Sequence, residues 1–293
     1  MTGNNECCGT CKFHRTDDNG EWVCTNDMSE YYALETDYSD GCVDYERRKA
    51  MNKTKIDWCD STWNPVTGCL HGCEYCYARG IANRFGFGAY EPNIDERVLI
   101  EPAVSAGKKV PYPFNFEPTF HKYRLNEYQN KKGRNIFVCS MADLFGEWVP
   151  DEWIEEVFKA CDNAPQHNYL FLTKNPFRYE ILHQKGILRE RDNMWYGYSM
   201  PKNGCDYWYD SQYKTFESME PLLEMVAVPH SKWTIIGAET GRRKNKVVPE
   251  RKWIEHIVNK CREGNIPVFM KSSLADIWGE PLIQEFPEEL KRK

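Results

Sequence analysis

The sequence predicts an α/β fold: a (β/α) barrel of the TIM type, partial or complete, behind a small N-terminal cysteine-rich module. Three observations carry that expectation. Short apolar runs recur from about residue 55 onward, helical patterns separate several of them, and the first 48 residues have a different composition altogether.

The runs are STWNPV, PFNFEPTF (113–120), NIFVCSM (135–141), NYLFLTK (168–174), MWYGYSM (194–200), TFESMEPLL (215–223), WTIIGAE (233–239) and IPVFMK (266–271), about eight strands. Two helices echo each other between them. VPDEWIEEVFKAC places Trp153, Ile154, Val157, Phe158 and Cys161 on one face, and VPERKWIEHIVNKC does the same with Trp253, Ile254, Ile257, Val258 and Cys261. Gly264 supplies the stop of the second. Both cysteines read as core residues. RFGFGAYEP and GAETGRRKNK match no complete phosphate-loop pattern and read as loops.

Residues 1–46 hold eleven acidic and two basic residues, a net −9 in a chain of net −6, so the remainder stands at +3. This front segment has almost no aliphatic residues and cannot bury enough apolar surface to fold unaided; a bound metal would supply the missing stability. KAMNKTK follows as a linker, giving an expected division into 1–48 and 55–293. No run approaches the roughly 20 apolar residues of a membrane span, and MTGNNECCGT has no export-signal character. The expected location is the cytoplasm, with no membrane partner. In that reducing setting, the thirteen cysteines point to metal or cluster ligation rather than disulfides.

Cys69, Cys73 and Cys76 lie in TGCLHGCEYCYARG as C-x3-C-x2-C, with Tyr75 before the third. A structural zinc wants four ligands, commonly in two pairs, and no second C-x2-C follows. His71, between two of the cysteines, is awkwardly placed to close a tetrahedron. A [4Fe-4S] cubane takes one cysteine per iron, so three leave one iron open to a substrate or cofactor.

This pattern resembles the signature of the radical S-adenosylmethionine superfamily. NPVTGCLHGCEYCYARG is similar to its spore photoproduct lyase branch. STWNPVTGC, CEYCYA, LTKNPFR, SMEPLL and GAETG together look like a phage-associated radical S-adenosylmethionine family without an assigned substrate. The resemblance spans about residues 55–280. It implies that a reduced three-cysteine cluster, with an electron donor behind it, cleaves S-adenosylmethionine to a 5′-deoxyadenosyl radical, which takes a hydrogen from the substrate. It also implies a site at the C-terminal ends of the barrel strands. That rule nominates Ser140, Asp143, Thr173, Lys174, Ser199, Glu220, Glu239 and Lys271, all of which could equally cap helices or hold turns. The expected cofactor-binding set is Tyr75, Ser140, Thr173, Lys174 and Glu239. Thr173 and Lys174 resemble the Thr-Lys pair of the lyase branch, whose lysine would meet the cofactor carboxylate. The superfamily's Gly-Gly-Glu after the second strand has no counterpart here.

In the front module Cys8, Cys11, Cys24 and Cys42 would surround a second centre, iron–sulfur or zinc on ligand count alone. Their surroundings resemble small high-potential-iron-type domains that accompany glycyl-radical enzymes, which favours a second [4Fe-4S] cluster. Functionally, the lyase-like branch and the basic-aromatic stretches HKYRLNEYQNKKGR and GRRKNK point to a nucleic acid or nucleoside. The alternatives are radical modification of a peptide or partner protein, and a non-catalytic zinc-binding adaptor.

Overall fold

The computed structural model describes residues 54, 56–86, 97–227, 231–240 and 243–291, together with two short strands nearer the N-terminus. The chain divides into two compact units, Met1–Lys53 and Thr54–Lys293, with the break inside the polar linker. In the first, His14–Thr16 and Trp22–Cys24 pair antiparallel. Cys8, Cys11 and Cys42, and the side chain of Cys24, lie outside the described residues.

The second unit is built on a seven-stranded, all-parallel sheet. Its strands in chain order are β1 (Ser61–Trp63), β2 (Asn135–Val138), β3 (Asn168–Thr173), β4 (Met194–Ser199), β5 (Lys214–Met219), β6 (Thr234–Ile236) and β7 (Val268–Met270). They lie side by side in that same order. Among the described residues β1 and β7 are not paired with each other, so the architecture is a partial barrel. The sheet is nevertheless curled. The Trp58 ring sits 4.6 Å from Phe137 on β2 and 6.0 Å from Phe216 on β5. Three strand spacings of about 4.8 Å would keep those residues far apart in a flat sheet.

Alternation decides which side chains fill the concave side. Phe137, Leu170, Trp195, Phe216, Ile235 and Phe269 gather there around Trp58 and Trp233. The register keeps this set together, pairing Leu170 with Phe137 and Trp195, and Gly197 with Phe216. Gly197 has to be glycine, since a Cβ there would come within 2.3 Å of the Phe216 ring.

The convex side carries helices α2 (Asp151–Asp162), α3 (Phe177–Gln184) and α4 (Arg251–Glu263). Buried Ile154, Val157, Phe158 and Cys161 of α2 face Phe171 and Tyr196, and the Phe158 ring meets Phe171 edge-on at 5.5 Å. Ile254, Ile257, Val258 and Cys261 of α4 pack with Met219, Ile236, Val268 and Met270. Both predicted stripes are therefore core, their cysteines included. Among the described residues, no helix is long and apolar enough to cross a membrane.

One local expectation needs correction. The 113–120 run is mostly turn, with Asn115 at φ +54°, and only Thr119–His121 is strand. That strand joins Val66–Thr67 and Val98–Leu99 in a separate three-stranded sheet. Gly264 does end α4, but at φ −89°, and the left-handed position falls to Asn265 at +53°.

A buried acid on the convex side gives the fold a pH dependence. Glu217 is fully buried, taking hydrogen bonds from Ser231 Oγ (3.1 Å), Thr234 Oγ1 (3.2 Å) and Tyr198 Oη (3.4 Å). Burial outweighs these donors and lifts its carboxyl from 4.5 to about 7. Between those values the folded chain holds a proton that the unfolded chain has lost, so this contribution to stability falls as pH rises, by about 3 kcal/mol in all. Glu217→Gln should match wild type near pH 4.5 and be the more stable protein at pH 8. Denaturant melts across that range test it, and parallel curves would refute it.

Candidate active site

The cysteine loop leaves the fold where two sheets meet. Thr67 pairs with Thr119 in the small sheet. Gly68 then donates its N–H to the Met141 carbonyl beyond β2 (2.9 Å), and Cys69 donates to the Phe116 carbonyl (3.1 Å). Gly68 and Gly72 sit at φ +90° and +70°, where side-chain-bearing residues are strained. The loop turns back with Cys76 N–H on the Cys73 carbonyl (3.2 Å). Cys76 caps helix α1 (Tyr77–Phe85), its Sγ accepting from the Arg79 N–H at 3.4 Å.

All three thiols are free, half-buried and open into one cleft of about 1020 Å³, its open mouth included. The cleft lies on the concave side at the C-terminal ends of the strands, as the nominated residues show. Ser140 and Asp143 after β2, Thr173 and Lys174 at β3, Ser199 on β4, Glu220 after β5, Glu239 after β6 and Lys271 after β7 all line it, as does Tyr75.

Asp143 ties three segments together. Its Oδ2 accepts from the Lys174 N–H (2.8 Å) and lies 2.7 Å from His71 Nε2, while Oδ1 takes the Phe145 N–H at 3.1 Å. His71 is thereby committed to Asp143, which removes that nitrogen from the donors available to a metal. Lys174 Nζ stands 5.6 Å from the Tyr75 ring centroid on the cleft side. Burial is the first cause that raises the Tyr75 phenol, and the neighbouring Cys73 is the next. Burial likewise pushes the Cys69 thiol up to about 12, with the charges of Asp143, Cys73 and Cys76 adding to it.

Other nominated side chains are already engaged. The Thr173 Oγ1 accepts from the Asn175 N–H (2.9 Å), a turn-holding role, and Ser140 Oγ donates to Asn64 Oδ1 (3.2 Å). Glu239 is clamped by Arg243 through two 2.7 Å hydrogen bonds and accepts the Val247 N–H at 3.3 Å. Arg243 also reaches Glu74 of the cysteine loop at 3.0 Å, closing a link between positions 169 residues apart. Glu239 therefore meets the cysteine loop through Arg243. Sequence reading missed His71 as an Asp143 partner, Tyr77 as a cleft residue, and Arg243; only the i,i+4 acid–base spacing of Glu239 and Arg243 hinted at the last.

Of the basic-aromatic stretch, Lys122 pairs with Glu156 (2.8 Å), Arg124 donates to the Asn64 carbonyl (3.0 Å), Lys131 sits over Tyr128 (4.7 Å), and Arg134 donates to Ser61 Oγ (2.9 Å). Arg134 and Ser61 lie at the N-terminal end of the sheet, away from the cleft. Lys131 and Lys132 are nonetheless exposed, as are Lys244 and Lys246 of GRRKNK.

Among the described residues, no group of three or more His, Cys, Asp or Glu side chains is arranged to hold a metal ion. No other described cysteine lines the cleft, which fits a cluster with three protein ligands.

No curated protein and no solved structure matches the chain. Residues 53–285, most of the second unit, match one family model, and the chain thereby belongs to the family described as Protein of unknown function (DUF5131).

Proposed function

We propose that this chain is a radical S-adenosylmethionine enzyme that acts on a nucleic acid or nucleoside. The observation that carries the reading is the opening of three free thiols, from one short loop, into a cleft at the C-terminal ends of parallel strands. Cys69, Cys73 and Cys76 would hold a [4Fe-4S] cluster. When bound, the cluster and S-adenosylmethionine supply one-electron reductive cleavage and a 5′-deoxyadenosyl radical for hydrogen abstraction. The chain's own residues position and shield. Lys174 offers an ammonium to the cofactor carboxylate, Tyr75 lies beneath that ammonium, and Asp143 fixes the Lys174 backbone and the cysteine loop together. The concave wall of Phe137, Trp58 and Leu172 excludes water from the floor of the cleft.

Anaerobic reconstitution, reduction with dithionite and assay of 5′-deoxyadenosine, with and without nucleic acids, test the reading; a fully reconstituted protein that releases none refutes it. Lys174→Ala should weaken S-adenosylmethionine binding by about 1.5–3 kcal/mol, roughly ten- to 150-fold in Kd, as loss of a charge-assisted hydrogen bond does. Equilibrium binding to the reconstituted protein measures it, and an unchanged Kd would remove Lys174 from the cofactor site.

A further inference from the structure

The wall of the cleft formed by β5, β6 and β7 has features that the cofactor reading leaves unused. Glu220 and Lys271 form an ion pair across β6, and both line the cleft with side chains only 23 % and 15 % exposed. Gly237 lies between them, where a Cβ would come within 3.0 Å of Lys271 and 3.1 Å of Glu220, so that both side chains would have to shift. Lys271 engages one Glu220 oxygen, leaving Glu220 Oε2 and further Lys271 protons without a partner among the described residues. A desolvated pair of this kind adds little stability over apolar packing, so its place in a cleft points to use.

Tyr77 stands beside it. It lines the cleft, its hydroxyl donates to the Ser140 carbonyl (2.8 Å), and the residue is nonetheless 52 % exposed.

An ion pair presents an acceptor next to a donor with no net charge. A charged ligand would have to break it; a neutral edge with N–H beside C=O satisfies both halves at once. A trans peptide points its N–H and C=O in opposite directions and cannot do so. A nucleobase can, and enzymes that act on bases read them by edge hydrogen bonds and aromatic stacking. Among bases, an imide or lactam N–H is a better donor to a carboxylate than an exocyclic amine, and its carbonyl takes the ammonium protons. We propose that this wall is a nucleobase seat: the base stacks on Tyr77, gives its ring N–H to Glu220 and accepts from Lys271 at the adjoining carbonyl. The substrate class is then a nucleic acid or nucleoside bearing an imide- or lactam-edged base. The inference rests on the reading above, in which the cysteine side of the cleft holds the cofactor.

Calorimetric titration of the full chain, reconstituted and saturated with S-adenosylmethionine, tests it with uridine and inosine against edge-blocked 3-methyluridine and 1-methylinosine, and against adenosine. The unblocked pair should bind at least about tenfold more tightly than the blocked pair or adenosine. Glu220→Leu with Lys271→Met, an apolar replacement of the pair, should erase that difference. Equal affinities, or no binding, overturn the proposal, and they do so in the unaltered protein, whatever the variant's folding. Displacement of uridine by excess S-adenosylmethionine or adenosine also overturns it, since the wall would then seat the cofactor's adenine. The same preparation reports 5′-deoxyadenosine release: release without base discrimination sinks this inference alone, and discrimination without release supports the seat and sinks the radical reading.

Discussion

A Cys73→Ala protein should release no 5′-deoxyadenosine above background while keeping its fold. The loss is expected to be complete because no described cysteine can take over. Cys59, Cys139 and Cys261 are buried, and burial pushes their thiols up to about 12, 12 and 11. Cys161, on the buried face of α2, is likewise raised by burial. Cys205, though only half-buried, does not line the cleft. The fold should survive because Cys73 is half-buried, and the loop is held before it by Gly68, Cys69 and the His71–Asp143 contact and after it by the Tyr77 hydroxyl on the Ser140 carbonyl. Thermal unfolding checks the fold, and iron content with 5′-deoxyadenosine assay checks the site. Turnover by a folded Cys73→Ala protein would end the proposed mechanism.

The parts of this site that sequence reading reached are those with a local signal. Alternation and run length marked β2 to β7, and a polar residue just past each run is at a strand's C-terminal end by construction. The structure brings Ser140, Asp143, Thr173, Lys174, Ser199, Glu220, Glu239 and Lys271 to one cleft for that reason. The roles of these side chains were not legible, because a role depends on a partner far away in the chain. Asp143 is defined by His71, 72 residues before it, and Glu239 by the Arg243 link to Glu74. The 113–120 run failed differently. Pro113, Pro118 and the left-handed Asn115 break its extended backbone, so a run with the right hydrophobicity becomes the turn that receives the cysteine loop. Whether the barrel closes could not be read either, since no periodicity within a strand says which strands form its edges.

Two glycines of the cysteine loop make a matched pair for the last prediction. Both have positive φ, +90° at Gly68 and +70° at Gly72, so alanine at either adds left-handed strain of about 1–2 kcal/mol. Their surroundings differ. A Cβ on Gly68 would lie 2.2 Å from the Glu117 carbonyl oxygen and 2.6 Å from the Pro118 nitrogen, both backbone atoms of the turn that anchors the loop. A Cβ on Gly72 would meet nothing within 4 Å. Gly68→Ala must therefore also push the loop off the small sheet, stretching the Cys69 N–H from the Phe116 carbonyl and the Gly68 N–H from Met141. Overpacking of that kind adds about 1–3 kcal/mol, for a total of about 2–5 kcal/mol. Denaturant unfolding should place Gly68→Ala well below Gly72→Ala. Cluster retention should follow the same order, because displacement of Gly68 moves Cys69 relative to Cys73 and Cys76. Equal destabilisation by the two alanines would mean that φ alone governs the loop, and that the close approach to Glu117 does not hold the thiols in place.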